Sequence, residues 1–242
     1  MEALVYFLPD QFREDAVRGL TVVVIDVLRA TTSILTALAA GARGVIPAES
    51  LEAATELAVK LGRDDVLLCG EYDGHRVAGC DLGNSPSEYT PEAVRDRLLV
   101  MATTNGTRAI LRARAAGRVL IGGYVNATRL VETLAGERRV AFICSGHEGG
   151  FALEDAAFAG HLLHRLAART GQETIPLNDG AWVALEIGRR SPKTPLRILR
   201  QSAWGRTLEE KGFGRDLLLC AEVDAQPVLG LLRERMIVRA DS

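Results

Sequence analysis

The 242-residue sequence predicts an α/β fold in which helices are layered on both faces of a largely parallel or mixed sheet. Short runs rich in β-branched residues alternate with amphipathic stretches rich in Ala and Leu, which is the pattern of βαβ units. The segment Thr21–Ile25 is almost continuously apolar, as expected for a strand covered on both faces. We expect a single domain over residues 1–242, and two closely fused lobes would also fit this length.

The same alternation gives the order of the elements. Strands are predicted at Ala3–Leu8, Thr21–Asp26, Gly44–Pro47, Val66–Cys69, Leu98–Ala102, Val119–Gly122 and Val140–Cys144. Helices are predicted at Thr32–Ala40, Leu51–Leu61, Thr107–Ala115, Ala127–Leu134, Glu154–Thr170, Asp179–Arg190 and Leu196–Gln201. Thr31 or Thr32 is the expected N-cap of the first helix, and Gly41 is expected to end it. The RRSPKTP segment near Arg190–Pro195 predicts a charged surface loop or a domain boundary.

Composition narrows the classes of function. Hydrophobic residues make up 48% of the chain and charged residues 25%, with interspersed signs and a formal net charge of −2. This predicts no broad surface for nucleic acid or for an anionic membrane, so any bound anion needs a local site. The N-terminus MEALVYFLPD lacks the features of a secretory signal, and no segment approaches the length of a membrane span.

The four cysteines have no CxxC spacing and are expected to be reduced thiols of a cytoplasmic protein: Cys69, Cys80, Cys144 and Cys220. The sequence leaves the oligomeric state open, and a homodimer is one candidate assembly.

Polar residues at strand ends are the main candidates for a site, because ligands of open α/β sheets bind beyond the carboxyl ends of strands. Asp26 is the last residue of a predicted strand, and Arg29 stands just before a helix. A carboxylate and a guanidinium in this arrangement suit a divalent cation and an anion. An Asp26–Arg29 ion pair that only holds the turn is the alternative.

A second carboxylate, Glu71, follows the strand Val66–Cys69 inside a turn. The loop Gly79–Tyr89 then offers Asp81, Asn84 and Ser85, and long polar loops of this kind are often functional. The alternative is an ordered turn in which Asn84 and Ser85 satisfy backbone groups.

Two further strand ends carry polar, Gly-containing turns. Thr103–Thr107 supplies hydroxyls, the Asn105 amide and a glycine, which suits an oxyanion cradle or, alternatively, an unliganded Thr N-cap. Ser145 and His147 follow the next strand, and the carboxylates Glu154 and Asp155 open a helix. These carboxylates suit a metal ion or a favourable interaction with the helix dipole.

Familiar signatures are missing from the sequence. It has no GxxxxGK[ST] P-loop, no GxSxG turn, no HExxH helix, no DxDxT segment and no Cx5R loop. His161 and His164 have no third ligand at a zinc-binding spacing, and the hard carboxylate oxygens favour Mg²⁺ or Mn²⁺.

Four motifs in order resemble those of the 2-phosphosulfolactate phosphatase family. They are VVVIDVLRATTSILTALAAGA (Val22–Ala42), GEYDGHRVAGCDLGNSPSEYT (Gly70–Thr90), TTNGTRA (Thr103–Ala109) and ALEDAAFAG (Ala152–Gly160). The resemblance extends from Tyr6–Pro9 to Ser202–Asp224. The chain departs from the family pattern at Trp204, where a His is expected, and at Phe158, where a Cys is expected.

The resemblance implies the family's α/β fold and its reaction, the Mg²⁺-assisted hydrolysis of 2-phospho-3-sulfolactate to 3-sulfolactate and phosphate, on a route toward coenzyme M or toward sulfolactate itself. Together with the strand-end pattern it predicts catalytic roles for Asp26, Arg29 and Glu71. The predicted Mg²⁺ ligands are drawn from Asp26, Glu71, Asp81, Glu154 and Asp155. The predicted substrate-binding residues are Thr31, Asn84, Ser85, Thr104, Asn105, Gly106, Ser145 and His147.

Two alternatives stay open at this point. One is a phosphatase for another small phosphorylated hydroxy acid, and the other is a non-catalytic protein that binds small anions on the same fold.

Overall fold

The computed structural model describes residues 1–171, 175–190 and 195–240. The strands are β1 (Glu2–Tyr6), β2 (Thr21–Ile25), β3 (Gly44–Pro47), β4 (Val66–Tyr72), β5 (His75–Arg76), β6 (Leu98–Ala102), β7 (Arg118–Gly122), β8 (Arg139–Cys144), β9 (Ile175–Pro176), β10 (Leu229–Arg233) and β11 (Met236–Ala240). The helices are α1 (Glu14–Val17), α2 (Ala30–Ala39), α3 (Leu51–Leu61), α4 (Pro91–Val94), α5 (Gly106–Arg112), α6 (Ala127–Leu134), α7 (Leu153–Thr170), α8 (Asp179–Arg190), α9 (Pro195–Gln201), α10 (Ala203–Glu210) and α11 (Gly214–Ala221).

The strands form one mixed sheet in the order β5-β4-β6-β3-β11-β10-β7-β2-β8-β1-β9. One parallel segment contains β7, β2, β8, β1 and β9, and a second contains β3, β6 and β4. The hairpin β10–β11 joins them and is antiparallel to β7 on one side and to β3 on the other. The two parallel segments therefore run in opposite formal directions.

The twist of the sheet explains how these opposed segments build one site. A flat sheet would place the carboxyl ends of β2 and β6 at opposite edges. Adjacent strands rotate by about 20–25°, so the five steps from β2 to β6 accumulate about 100–125°. A rotation of this size would bring the two strand directions within about 55–80° of each other. It accounts for the close approach of the turns that follow β2 and β6, where a Cβ on Gly106 would lie 2.6 Å from Asp26 Oδ2.

Alternating side chains of the central strands pack in two separate hydrophobic cores, one on each face of the sheet. Val23 and Ile25 of β2 pack on one face together with α6 and α7, whereas Val22 and Val24 pack on the other face with α2 and α5. Every residue of β2 is buried, because both faces are covered. A smaller third core lies between α3 and the strands β4 and β6.

The predicted fold class is confirmed as a layered α/β structure with a mixed sheet, and each predicted strand and helix is present with ends shifted by a few residues. The N-cap prediction is wrong: α2 begins at Ala30, so Thr31 and Thr32 lie inside its first turn. Gly41 does follow the helix with a positive φ of 97°.

Several elements were not predicted. The helices α10 and α11 and the hairpin β10–β11 are absent from the sequence-based scheme, although the hairpin occupies the middle of the sheet. The predicted loop RRSPKTP falls largely on residues 191–194, which lie outside the described residues. Within the described ranges, the helices are all too short or too polar to cross a membrane. All four cysteines are free thiols, as expected.

Candidate active site

Asp26 directly follows β2 and is fixed by the turn into α2. The Thr31 backbone N–H donates to the Asp26 carbonyl oxygen at 3.0 Å, and Thr31 Oγ1 accepts from the Asp26 N–H at 3.1 Å. The same hydroxyl lies 2.7 Å from the carbonyl oxygens of Asp26 and Gly122. The Ala30 N–H donates to Asp26 Oδ1 at 3.2 Å. Thr31 is fully buried, so it holds the turn and is not available to a substrate.

The environment of Asp26 favours its neutral form. Burial raises the pKa of this carboxyl to about 7, and the nearby charges of Glu71 and Glu154 act in the same direction. Hydrogen bonds from the Ala30 N–H and from Ser145 oppose this rise in the pKa. A carboxyl group with a pKa near neutrality can exchange a proton or be held ionised by a bound cation.

Arg29 is buried and does not pair with Asp26. Its Nη1 donates to Asp216 Oδ2 at 2.6 Å, its Nη2 donates to the Gly74 carbonyl oxygen, and its guanidinium carbon lies 4.6 Å from the centre of the Phe213 ring. Its Nε is buried without a hydrogen-bond partner. The alternative in which an Asp26–Arg29 pair merely holds the turn is therefore wrong.

Asp216 lies on α11, in a part of the chain for which no site was predicted. Its second oxygen, Oδ1, accepts from Ser85 Oγ at 2.6 Å, and Ser85 Oγ also lies 2.7 Å from Ser87 Oγ. Asp216 is only 2% exposed, so both carboxylate oxygens are used inside the protein. Ser85 thus contacts Asp216 rather than the site cavity.

Glu71 lies near the end of β4, in the strand that leads into the turn to β5. The Gly74 N–H donates to Glu71 Oε1 at 2.5 Å, which bends the turn back toward the strand. Lys211 of the α10–α11 connection holds the same turn, because its Nζ donates to the Asp73 carbonyl oxygen at 2.9 Å and forms an ion pair with the Asp73 carboxylate. The turn is therefore tied to the C-terminal helices.

The loop before α5 approaches Asp26 closely. A Cβ atom on Gly106 would lie 2.5 Å from the Ala30 Cβ and 2.6 Å from Asp26 Oδ2, so only glycine fits. Thr103 and Thr107 brace this loop through mutual bonds between their side chains and backbones at 3.0–3.3 Å. Gly106 thus allows the start of α5 to approach Asp26, and its predicted contact with a substrate oxyanion stays a prediction.

These elements surround one cavity of about 150 Å³. Its lining residues come from the ends of both parallel segments and from α10: Asp26, Leu28, Arg29, Glu71, Tyr72, Asp73, Asn84, Thr103, Thr104, Asn105, His147, Glu148 and Trp204. Seven of the predicted site residues are among them: Asp26, Arg29, Glu71, Asn84, Thr104, Asn105 and His147.

His147 and Trp204 form one wall of the cavity. Their rings stack with centroids 4.2 Å apart and an interplanar angle of 24°. Partial burial lowers the pKa of His147, which favours the neutral imidazole near pH 7. Lys211 Nζ lies 5.9 Å from the Trp204 ring on the side of the β4–β5 turn. Trp204, noted in the sequence only as a departure from a family pattern, therefore borders the site.

Asn84 supplies an unsatisfied oxygen. Its Oδ1 is buried and has no hydrogen-bond partner, while its backbone carbonyl accepts from Ser33 Oγ at 2.8 Å. A buried amide oxygen without a partner is costly unless a ligand or ion completes it. Asn84 is a lining residue of the cavity, so this oxygen is a candidate ligand atom.

Glu154 and Asp155 lie behind the cavity instead of lining it. Asp155 Oδ1 accepts from the Val27 N–H at 2.9 Å, and Asp155 Oδ2 accepts from Ser145 Oγ at 3.1 Å. Burial raises the pKa of Asp155 well above its usual value and also raises that of Glu154. Asp155 and Ser145 thus support the backbone beside Asp26.

Asp81 is engaged elsewhere. Its Oδ2 accepts from the Leu68 N–H at 2.7 Å and from Arg63 Nη2 at 2.8 Å, and the residue does not line the cavity. In residues 1–171, 175–190 and 195–240, no three His, Cys, Asp or Glu side chains are arranged to hold a metal ion by themselves. A cation here would need other ligands as well.

Sequence reasoning missed several residues around the cavity. Asp73 and Glu148 stand in turns that were recognised, next to Glu71 and His147, so a wider choice of turn residues would have included them. Asp216 gave no comparable signal, since it lies within a helix and not at a strand end.

Two kinds of comparison with known proteins give the same family name. The family model described as 2-phosphosulpholactate phosphatase matches residues 6–235. A protein of Carboxydothermus hydrogenoformans is 38% identical over 241 residues, covering 98% of this chain and 97% of the relative. One of Symbiobacterium thermophilum is 40% identical over 221 residues, covering 91% of this chain and 94% of the relative. Both relatives carry the name "Probable 2-phosphosulfolactate phosphatase".

Proposed function

Because the chain belongs to the 2-phosphosulfolactate phosphatase family, a family of phosphoric monoester hydrolases, we propose that it hydrolyses 2-phospho-3-sulfolactate to 3-sulfolactate and phosphate with the help of Mg²⁺. The names of its relatives support the substrate. The observation that carries the chemistry is that the Asp26 carboxylate, the Arg29 guanidinium and the Asn84 amide line one small cavity.

The charge of the cavity supports the need for a cation. Asp26, Glu71, Asp73 and Glu148 line it together with a single arginine, Arg29. A multiply charged anion would be repelled by such a set of carboxylates in the absence of a counter-ion. A divalent cation removes that repulsion and is favoured by oxygen ligands.

The donor set fits Mg²⁺. Asp26 and Glu71 supply carboxylate oxygens and Asn84 supplies the unpartnered Oδ1, so all three candidate ligands are hard oxygen atoms. Mg²⁺ commonly uses one or two carboxylates and keeps water and substrate phosphate as its other ligands, so a cluster of three acidic side chains is not required. When bound, Mg²⁺ neutralises phosphoryl oxygens and lowers the pKa of water.

The anion-binding part of the proposal rests on Arg29, Thr104 and Asn105. Arg29 has five N–H hydrogens and uses two of them on Asp216 and Gly74. The remaining N–H groups, together with the Thr104 hydroxyl and the Asn105 amide, are suited to phosphoryl oxygens. Phosphoryl transfer depends mainly on such positioning and charge stabilisation.

Asp26 has two chemically distinct routes. Its carboxylate can accept a proton from the attacking water while the P–O bond to sulfolactate breaks and the leaving oxygen takes up a proton. Alternatively, the carboxylate attacks phosphorus and expels the same sulfolactate oxygen, which is protonated, and water then hydrolyses the aspartyl-phosphate to Asp26 and phosphate. The two routes are separated by experiments on phosphosulfolactate that is labelled in its phosphoryl group, beginning with acid quenching during turnover. A protein-bound acyl phosphate in the wild type that is lost in Asp26→Asn identifies the covalent route. Inversion of configuration at a stereochemically labelled phosphorus identifies direct attack by water, because the covalent route inverts twice and retains the configuration.

A phosphate-release assay tests the proposal. We expect hydrolysis of 2-phospho-3-sulfolactate in Mg²⁺, its loss on chelation and its recovery on adding Mg²⁺ back. Asp26→Asn should remove most turnover, and Arg29→Ala should raise KM and lower kcat. Asp96→Asn, an exposed carboxylate outside the cavity, is the matched control. Release that persists after chelation would overturn the Mg²⁺ requirement.

The two alternative functions predict other results in the same assay. Phospholactate, which lacks only the sulfonate, measures how much the sulfonate contributes to kcat/KM. Faster turnover of phospholactate than of phosphosulfolactate would favour a different phosphorylated hydroxy acid. Tight binding of sulfolactate without phosphate release would favour a non-catalytic binding protein.

A further inference from the structure

The guanidinium of Arg29 is held on three sides by groups from distant parts of the chain. Asp216 of α11 binds Nη1, the Gly74 carbonyl of the β4–β5 turn binds Nη2, and the Phe213 ring covers the guanidinium face at 4.6 Å. Asp216 and Phe213 lie close together near the C-terminus of the chain. The C-terminal helices therefore help to determine the orientation of Arg29.

This ion pair is almost completely removed from water. The exposed fractions of the Arg29 and Asp216 side chains are 1% and 3%. A buried guanidinium is costly unless a counter-charge and hydrogen bonds compensate it, and removing one partner leaves the other uncompensated. Asp216 is the carboxylate bonded to Arg29, and Ser85 fixes its second oxygen at 2.6 Å.

We infer that Asp216 is a positioning residue for the anion-binding site: with Ser85, it fixes the Arg29 guanidinium so that the unused N–H groups are oriented to bind a phosphoryl group in the cavity. This inference rests on the proposed function of Arg29 as the phosphate ligand. It adds a residue on α11 that does not line the cavity and acts only through Arg29.

Two physical effects of Asp216 predict opposite results. If its charge only neutralises Arg29, then Asp216→Asn should strengthen phosphate binding, because the site becomes more positive. If it positions Arg29, Asp216→Asn should weaken phosphate binding, since the guanidinium loses its charge-assisted bond. A tenfold loss of phosphate affinity corresponds to about 1.4 kcal/mol.

Calorimetric titration with inorganic phosphate in the presence of Mg²⁺ measures this directly. We expect phosphate affinity to fall about tenfold or more in Asp216→Asn. Asp216→Glu, which keeps the charge and moves it by one methylene, should also weaken binding. Tighter or unchanged binding in Asp216→Asn would overturn the inference, and so would a wild-type protein that binds no phosphate.

A double-mutant cycle tests whether Asp216 acts through Arg29. In an Arg29→Met background, Asp216→Asn should cause no further loss of phosphate affinity, because the group that it positions is gone. A further loss of the same size would show an independent effect and would contradict the inference. A purely structural defect would lower affinity in both backgrounds.

Two more variants keep the test valid if Asp216→Asn folds poorly. Ser85→Ala removes the hydroxyl that donates to Asp216 Oδ1 and contacts Ser87 Oγ, and it leaves the Arg29–Asp216 ion pair in place. We expect it to weaken phosphate binding severalfold; unchanged affinity would count against the inference. Asp224→Asn is the matched control, because Asp224 accepts the Thr128 N–H at 2.6 Å in a partly buried network outside the cavity. It should lower thermal stability and leave phosphate affinity unchanged.

The binding assay is independent of turnover, so the inference and the proposed function can fail separately. If the wild type hydrolyses phosphosulfolactate but Asp216→Asn binds phosphate as tightly as the wild type, only the inference is wrong. If the wild type binds phosphate in an Asp216-dependent way but does not hydrolyse phosphosulfolactate, only the proposed function is wrong.

Discussion

Gly106→Ala is the most direct test of how closely α5 approaches Asp26. The new Cβ would stand 2.5 Å from the Ala30 Cβ and 2.6 Å from Asp26 Oδ2. To restore an ordinary contact distance of 3.4 Å, Asp26 and Ala30, or the start of α5, must move by about 0.8–0.9 Å. Both neighbours are buried, so the movement cannot be taken up by a flexible side-chain end.

The expected size of the effect follows from this displacement. Overpacking a buried site costs about 1–3 kcal/mol, partly offset by about 1 kcal/mol or less from the better helix propensity of Ala. A shift near 1 Å at a catalytic group can lower the rate about a hundredfold. We therefore expect a fall in Tm of a few degrees and a fall in kcat of about two orders of magnitude.

Thermal unfolding and phosphate release measure the two effects of Gly106→Ala. Gly136→Ala is the matched control, because a Cβ there would meet nothing within 4 Å; its kcat and Tm should stay near those of the wild type. If Gly106→Ala turns over within twofold of the wild type, either Asp26 is not displaced or its position does not govern the reaction. That result would refute the argument from close approach.

Three further predictions concern the acidic groups and the cavity wall. In the presence of a chelator, the contribution of Asp26 to stability is fully present below about pH 4 and is lost as the pH rises through its raised pKa of about 7. The Tm of Asp26→Asn minus the Tm of the wild type should therefore increase from pH 5 to pH 8, and a constant difference would contradict the raised pKa. Asp81→Asn should lose about 1 kcal/mol of unfolding free energy yet keep wild-type kcat; a collapse of kcat would restore Asp81 as a ligand. Trp204→Ala removes the ring stacked on His147 and should raise KM about two- to tenfold with a smaller change in kcat, and an unchanged KM would exclude the wall from substrate binding.

The sequence allowed much of the fold to be predicted because its local patterns agree with the tertiary structure. The apolar run Thr21–Ile25 is a strand buried on both faces, and the amphipathic segments became helices that cover the sheet. The hairpin β10–β11 was not predicted because its turn, Glu234–Arg235, lacks the Asn-Gly or Asp-Gly signal of two-residue hairpins. Its short apolar run is also compatible with a helix.

The candidate site, like the fold, was predicted only where the local sequence carries the signal. Asp26, Glu71 and Asn105 were predicted from their positions at strand ends, where ligands of open α/β sheets bind. That two oppositely directed segments bring them to one cavity is tertiary information. Asp81 was predicted from its place in the long polar loop Gly79–Tyr89, and yet it bonds to the Leu68 N–H and to Arg63, since a loop carboxylate can serve a backbone group as well as a ligand. Sequence position alone does not separate these two uses.

Asp216 could not be recognised from the sequence for a different reason. In GRDLLL it occupies a helix whose neighbours Leu217 and Cys220 are buried, and a charged residue beside such a face is usually exposed to solvent. Its partner Arg29 lies 187 residues earlier. The pairing exists only because α11 packs against the turn of β2 and the turn after β4, which is tertiary information.

The directions of the strands explain why the packing of the C-terminal helices matters for the cavity. Asp26 and Arg29 belong to the segment of β2, whereas Glu71 and Asn105 belong to the oppositely directed segment of β4 and β6. The cavity therefore depends on the hairpin β10–β11, which lies between the two segments, and on the C-terminal helices, where Asp216 of α11 bonds to Arg29 and Lys211 of the α10–α11 connection bonds to Asp73. Since these elements all come from the C-terminal third of the chain, a change there can alter phosphate binding without touching a residue that lines the cavity.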